Sequence, residues 1–181
     1  MARPSKVLLS DNARAAVQTH GKLAPAAAVG WLVALDGAGG SGAGGDEDSV
    51  AVASALRVVG AGDAADGAIG AVDWDEEYAA VGATLPYGAR VVGVYATAAA
   101  AAALAGDGGV GDVASRHVAP RVGGDGLVVL SVGGGGEELS AQWLASSGTS
   151  DVAVIAPAGG DDDEVERLFV RCRVSTRCAV A

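Results

Sequence analysis

The sequence predicts a mixed α/β fold, with a central β-sheet and helices outside it. Two observations carry that reading. The valine-rich runs Ala28-Val-Gly-Trp-Leu-Val-Ala-Leu35 and Arg90-Val-Val-Gly-Val-Tyr-Ala96 have the composition of buried strands. Asp73-Trp-Asp-Glu-Glu-Tyr-Ala-Ala-Val-Gly-Ala-Thr84 and the alanine run from Ala98 to Ala105 stand beside them with helical composition. A length of 181 residues suits a single domain over 1–181, with chain enough to bury a core.

The remaining elements follow in order. Val7-Leu8-Leu9 reads as a short strand, and Ser10 or Asp11 as the N-cap of a helix running to about His20. After Pro25 comes the strand from Ala28 to Leu35, then a Gly/Ser/Asp loop at about 37–48 that is expected to be flexible. Ser49 to Val59 alternates apolar and polar residues and is expected to return against the previous strand as a hairpin. A second Gly-rich linker covers about 60–71. The helix from Asp73 carries acidic residues in its first turn, where they favour the macrodipole. Pro86 and Gly88 supply a turn into the strand Arg90 to Ala96. The alanine helix is expected to close at Gly106, and a short helix over Asp112 to Val118 to stop at Pro120. Strands are expected at Gly126–Val132, Leu139–Leu144 and Asp151–Ile155, with Gly133 to Gly136 turning the first into the second. An acidic turn at Asp161 to Asp163 and a last strand, Val165 to Val174, complete the order.

Charge excludes several function classes. A net charge of −10, with 12 Lys and Arg scattered along the chain, cannot build the clustered positive surface that a phosphate backbone needs. The same acidity opposes adsorption to an anionic membrane. The carboxylate runs, such as Asp46-Glu47-Asp48, lack the alternation of a calcium loop. Cys172 and Cys178 have neither zinc-ribbon nor redox-pair spacing and read as free thiols in a reducing compartment. Met1 to Lys6 does not open a signal peptide, and Val91 to Leu104 is too short and too rich in alanine to span a bilayer, so the chain as given is expected to be soluble.

Catalytic patterns are weak. His20 and His117 are the only histidines, neither stands near a Gly-x-Ser-x-Gly elbow, and each reads as a surface or capping residue. Val58-Val-Gly-Ala-Gly-Asp-Ala-Ala65 matches a dinucleotide-binding pattern only formally, because the glycines after it will not propagate a helix under a pyrophosphate. With 29 glycines in the chain against a usual share of about 7%, such matches carry little information. No cofactor is expected. Trp74 and Tyr78, spaced i and i+4, share a helix face as core or interface anchors, and Tyr87 in the turn joins them as a candidate interface residue.

The order of strand, hairpin, helix, Leu85-Pro86 turn and the strand Val91-Val-Gly-Val-Tyr95 resembles the MPN fold, the scaffold of JAMM-type zinc isopeptidases and their inactive relatives. Active members carry Gly-x-Tyr-His-x-His-Pro on that strand, with a Ser-x-x-Asp and a distant Glu. Laid on Gly93-Val-Tyr-Ala-Thr-Ala98, the two histidine positions are Ala96 and Ala98. The Ser and Asp positions fall in Gly106 to Gly109, and the Glu position is Ala27. A catalytic zinc needs three protein ligands and an activated water. The resemblance therefore implies an MPN-like domain without metal and without catalysis.

Within that class, Asp73-Trp-Asp-Glu-Glu-Tyr78 followed by Leu85-Pro-Tyr-Gly-Ala-Arg-Val-Val-Gly-Val-Tyr95 resembles the odorant-response-abnormal-four family, as does the strand Val29-Gly-Trp-Leu-Val33. Tyr87 departs from the glycine usual there. The resemblance implies an adaptor that pairs, through MPN-like domains, with the ubiquitin-fold-modifier-specific cysteine protease. It also implies a cytoplasmic location at the face of the endoplasmic reticulum, through an anchoring segment beyond this chain. The alternative is the N-terminal, non-catalytic MPN-like domain of that protease itself.

Overall fold

A computed structural model describes residues 3–22, 27–35, 49–58, 72–105, 108–122 and 126–155. The strands are β1 (Lys6–Leu9), β2 (Val29–Leu35), β3 (Ser49–Val52), β4 (Ser54–Arg57), β5 (Ala89–Thr97), β6 (Gly126–Val132), β7 (Leu139–Ala145) and β8 (Gly148–Ile155). The helices are α1 (Asp11–Lys22), α2 (Trp74–Thr84), α3 (Ala98–Leu104), α4 (Gly109–Val113) and α5 (Ala119–Val122), with a π-helical turn at Ala114–Val118 joining the last two. The loops expected at 37–48 and 60–71, the dinucleotide-like glycines, Gly106, the acidic turn, the last strand and both cysteines lie outside the described residues.

All eight strands form one mixed sheet in the order β3-β1-β8-β7-β6-β5-β2-β4. β1 pairs in parallel with β3 and β8, β5 pairs in parallel with β6, and the other neighbours are antiparallel. The two ends of that order, β3 and β4, are consecutive pieces of one segment separated only by Ala53. That segment crosses from one end of the sheet to the other, so the sheet wraps into a barrel-like shape.

This corrects the expected hairpin of Ser49 to Val59 against β2. Only its second half pairs there, Ser54 to Arg57 against Val33 to Gly30, while Ser49 to Val52 pairs with β1. The crossing is held where Ala53 N–H donates to the Val33 carbonyl at 2.8 Å and Ser10 Oγ donates to the Ala53 carbonyl at 2.6 Å. Ser10 Oγ also accepts from Ala13 N–H at 3.1 Å, which makes Ser10 the cap of α1.

Two apolar clusters lie on opposite faces of the central strands. On the inner face, Leu32, Val92, Tyr95, Val128 and Leu130 pack with Ala13 and Val17 of α1. Ala13, Val17 and the similarly buried Gly21 recur every four residues, one helix face turned inward. On the outer face, Val29, Trp31, Val94, Ala96, Leu127 and Val129 are covered by Trp74, Ala100, Leu104, Val113 and Val118. The register between β2 and β5 shifts at Leu32/Val33, leaving Val92 as an extra residue. That bulge reverses the alternation, so Val91 shares the outer cluster with Val94 rather than the inner one with Val92.

Asp73 caps α2 by accepting from the Asp75 and Glu76 N–H groups, each at 3.1 Å. After Leu85, Ala89 N–H donates to the Pro86 carbonyl at 2.9 Å and Gly88 takes φ +80°, so a tight turn delivers the chain into β5.

The helix expected to stop at Pro120 continues to Val122. The reason is the π-helical turn before it, where Ala119 N–H donates back to the Ala114 carbonyl. The widened turn displaces the carbonyls that a proline ring meets in a straight α-helix.

Candidate functional site

Ala27, Ala96 and Ala98, expected at degenerate metal-ligand positions, lie at or next to the paired ends of β2 and β5. Val29 stands opposite Ala96 in the antiparallel ladder. One step further, Thr97 N–H donates to the Ala28 carbonyl at 2.9 Å, and Ala28 N–H donates to Thr97 Oγ1 at 3.0 Å. Ala27 precedes that Ala28–Thr97 pair in the chain, and Ala98 follows it as the first residue of α3. Residues about 70 positions apart in sequence share one corner of the sheet.

What stands at that corner is hydrocarbon. Ala96 is 1% exposed and belongs to the outer apolar cluster. Ala27 is half-buried against the same cluster, and Ala98 is the exposed first residue of α3. The hydroxyl of Thr97 is engaged twice, by Ala28 N–H and by Ala100 N–H at the start of α3. Helix α3 begins immediately after the strand, and Ala100 and Leu104 seal its underside. Among the described residues there is no group of three or more His, Cys, Asp or Glu placed to hold a metal ion.

The three aromatic candidates separate. Trp74 is 6% exposed and meets Trp31 edge-on, with ring centroids 6.0 Å apart. Tyr78 is half-buried, also edge-on to Trp31 at 5.6 Å, and Arg121 lies over its outer face at 5.8 Å. Burial holds the Tyr78 hydroxyl above its ordinary pKa. Tyr87 is 94% exposed at the tip of the turn, the one exposed large hydrophobic side chain among the described residues.

Two polar constellations had no signal in the sequence, because each joins residues far apart in the chain. Asp75 accepts from His117 Nδ1 at 3.1 Å and from Arg121 at 3.0 Å, clasping the first turn of α2 to the helix over the outer cluster. The hydrogen bond from His117 is the main cause that holds the Asp75 carboxyl below its ordinary pKa. His20 is not the surface or capping residue expected. Its Nδ1 lies 2.5 Å from the Tyr95 hydroxyl, and the two ring planes are nearly parallel, at 10°. Burial, then the nearby Arg57, lowers the His20 pKa, while burial raises that of Tyr95. A shallow polar cleft of about 350 Å³, lined by Arg3, Trp143 and the hydroxyls around the β7–β8 turn, lies at the opposite end of the sheet from Ala96.

Together these features define a mixed α/β protein, a large wrapped sheet flanked by helices. No protein-family model matches the chain, and no curated protein matches it. Among solved structures it is similar to the solution structure of protein DSY2949 from Desulfitobacterium hafniense, a structural genomics target. The identity is 14%, 87% of this chain and 97% of that one are covered, and the TM-score is 0.49. At that distance the similarity assigns neither a family nor an activity.

Proposed function

We propose that the chain is a non-catalytic, MPN-like adaptor that binds the ubiquitin-fold-modifier-specific cysteine protease and supports its recruitment or activity. The observation that carries this reading is the convergence of Ala27, Ala96 and Ala98 at one corner of β2 and β5. The β2–β5 ladder ends at Val29 and Ala96, and the three positions that resemble ligand positions lie at or beside that end with side chains that offer no donor atom. A scaffold that keeps this arrangement without its chemistry has binding as its remaining work. Tyr87 supports the reading as an exposed aromatic anchor of the kind that dominates protein interfaces. Placement at the endoplasmic reticulum rests on the family resemblance alone. Among the described residues no helix is long and apolar enough to cross a membrane.

Co-purification of the full chain with the protease tests the proposal. A stoichiometric complex at micromolar concentration is the expected result, and its absence overturns the adaptor reading. Metal analysis of the purified chain tests the other half: stoichiometric zinc would overturn the metal-free reading.

A further inference from the structure

The pairing of His20 with Tyr95 ties the last turn of α1 to the centre of the sheet. Tyr95 is fully buried, and its ring lies across Gly30 of the adjacent strand. A Cβ at position 30 would sit 2.3 Å from the ring and 2.1 Å from the Leu56 carbonyl, so only glycine leaves this slot open. The slot aims the hydroxyl at His20 Nδ1, 2.5 Å away, with the ring planes nearly parallel. A neutral imidazole protonated on Nε2 accepts the Tyr95 O–H hydrogen bond there. An imidazolium has two N–H donors and no acceptor, so the contact can only reverse, and the buried Tyr95 O–H is then left with no acceptor among the described residues.

Among the described residues, no carboxylate bears on a cation at His20. Of the elements packed against α1, β6 and the turn Gly134–Gly136 carry no ionisable side chain. β1 contributes Lys6, β4 contributes Arg57, and β5 contributes Arg90 and Tyr95. On α1 itself, Arg14 and Lys22 are basic, and Asp11 stands in the first turn, at the far end from His20. Glu137 and Glu138, beyond the glycine turn, are exposed. Arg57 is the charge that bears on His20, and it is of the same sign.

We propose that His20 and Tyr95 form an acid-sensitive latch, which holds the C-terminal half of α1 on the wrapped sheet and loosens when the imidazole takes up a proton. The closed state disfavours the imidazolium and the open state does not. The latch is therefore fully engaged above the ordinary histidine value of 6.5. It weakens as pH falls from there through the lower value of the closed state, and below that value it weakens no further.

Hydrogen exchange of the Gln18 to Gly21 amides in the full chain, read beside the NMR titration of His20 between pH 4.5 and 7.5, tests this. His20 is expected to titrate below 6.5, and protection of those amides to fall by up to roughly tenfold per pH unit within the window. Arg57→Gln leaves the latch residues intact and is expected to move both midpoints upward together. His20→Gln is expected to remove the pH dependence. Titration of His20 at or above its ordinary value overturns the latch, as does protection that ignores the titration or a pair of midpoints that part company in Arg57→Gln.

Discussion

Thr97 closes the β2–β5 ladder with its side chain as well as its backbone, accepting from Ala28 N–H at 3.0 Å through Oγ1 while donating its own N–H to the Ala28 carbonyl at 2.9 Å. The same oxygen faces the first turn of α3. One hydroxyl therefore ends a strand and starts a helix. Thr97→Val keeps the shape and leaves the buried Ala28 N–H without a partner. A loss of about 1–3 kcal/mol is expected in urea unfolding, with Thr97→Ser retaining most of the stability.

Ala96 has the packing of a core residue. Ala96→His is expected to cost about 1–3 kcal/mol through overpacking of the outer cluster, while Ala98→His, at an exposed position, leaves stability near that of the parent. Equal tolerance of both substitutions in thermal unfolding would contradict the buried placement of Ala96.

Trp74 and Tyr87 are expected to behave oppositely. Trp74→Ala removes the aromatic that meets Trp31 edge-on in the outer cluster, at an expected cost of about 3–5 kcal/mol. Tyr87→Ala leaves the unfolding midpoint unchanged, since that side chain is almost wholly exposed. On the adaptor reading it weakens capture of the protease by at least about tenfold, the loss of an anchoring aromatic. Calorimetry of both variants, with protease binding measured on Tyr87→Ala, separates packing from recognition.

Asp75 links acid stability to the clasp on α2. Its folded pKa lies below its unfolded one, because His117 and Arg121 favour the carboxylate. The stabilisation is therefore present above the unfolded value near 3.8 and is lost as pH falls through the folded one. Asp75→Asn is expected to flatten that part of the acid-unfolding curve. The change is small, since the clasp is solvent-exposed and screened. An unchanged acid limb would remove the clasp from the account.

Gly93 carries a backbone contact that composition alone does not reveal. A Cβ there would lie 2.1 Å from the Val128 carbonyl on β6. Gly93→Ala is expected to destabilise by about 1–3 kcal/mol in urea unfolding, in contrast to Gly82→Ala on the open face of α2, where nothing lies within 4 Å. Gly82→Ala is expected to stabilise slightly through helix propensity.

Local chemistry in the sequence determined most elements and their caps. Asp73 before Trp74, Pro86 and Gly88 in the turn, and the valine-rich run into Tyr95 act within a few residues of themselves, so their consequences are readable without a fold. The tertiary structure decided how distant pieces meet. Ser49 to Arg57 has the alternation of one strand, yet it divides at Ala53 and joins both ends of the sheet, because β1 and β2 offer it separate edges. Pro120 stays helical because a π-turn stands before it. His20 meets Tyr95 at a sequence separation of 75, and His117 meets Asp75 at 42. Helical and strand periodicity record which face of an element is apolar, but they do not record which other element that face will touch. Partners across the core are set only when all the faces are buried together.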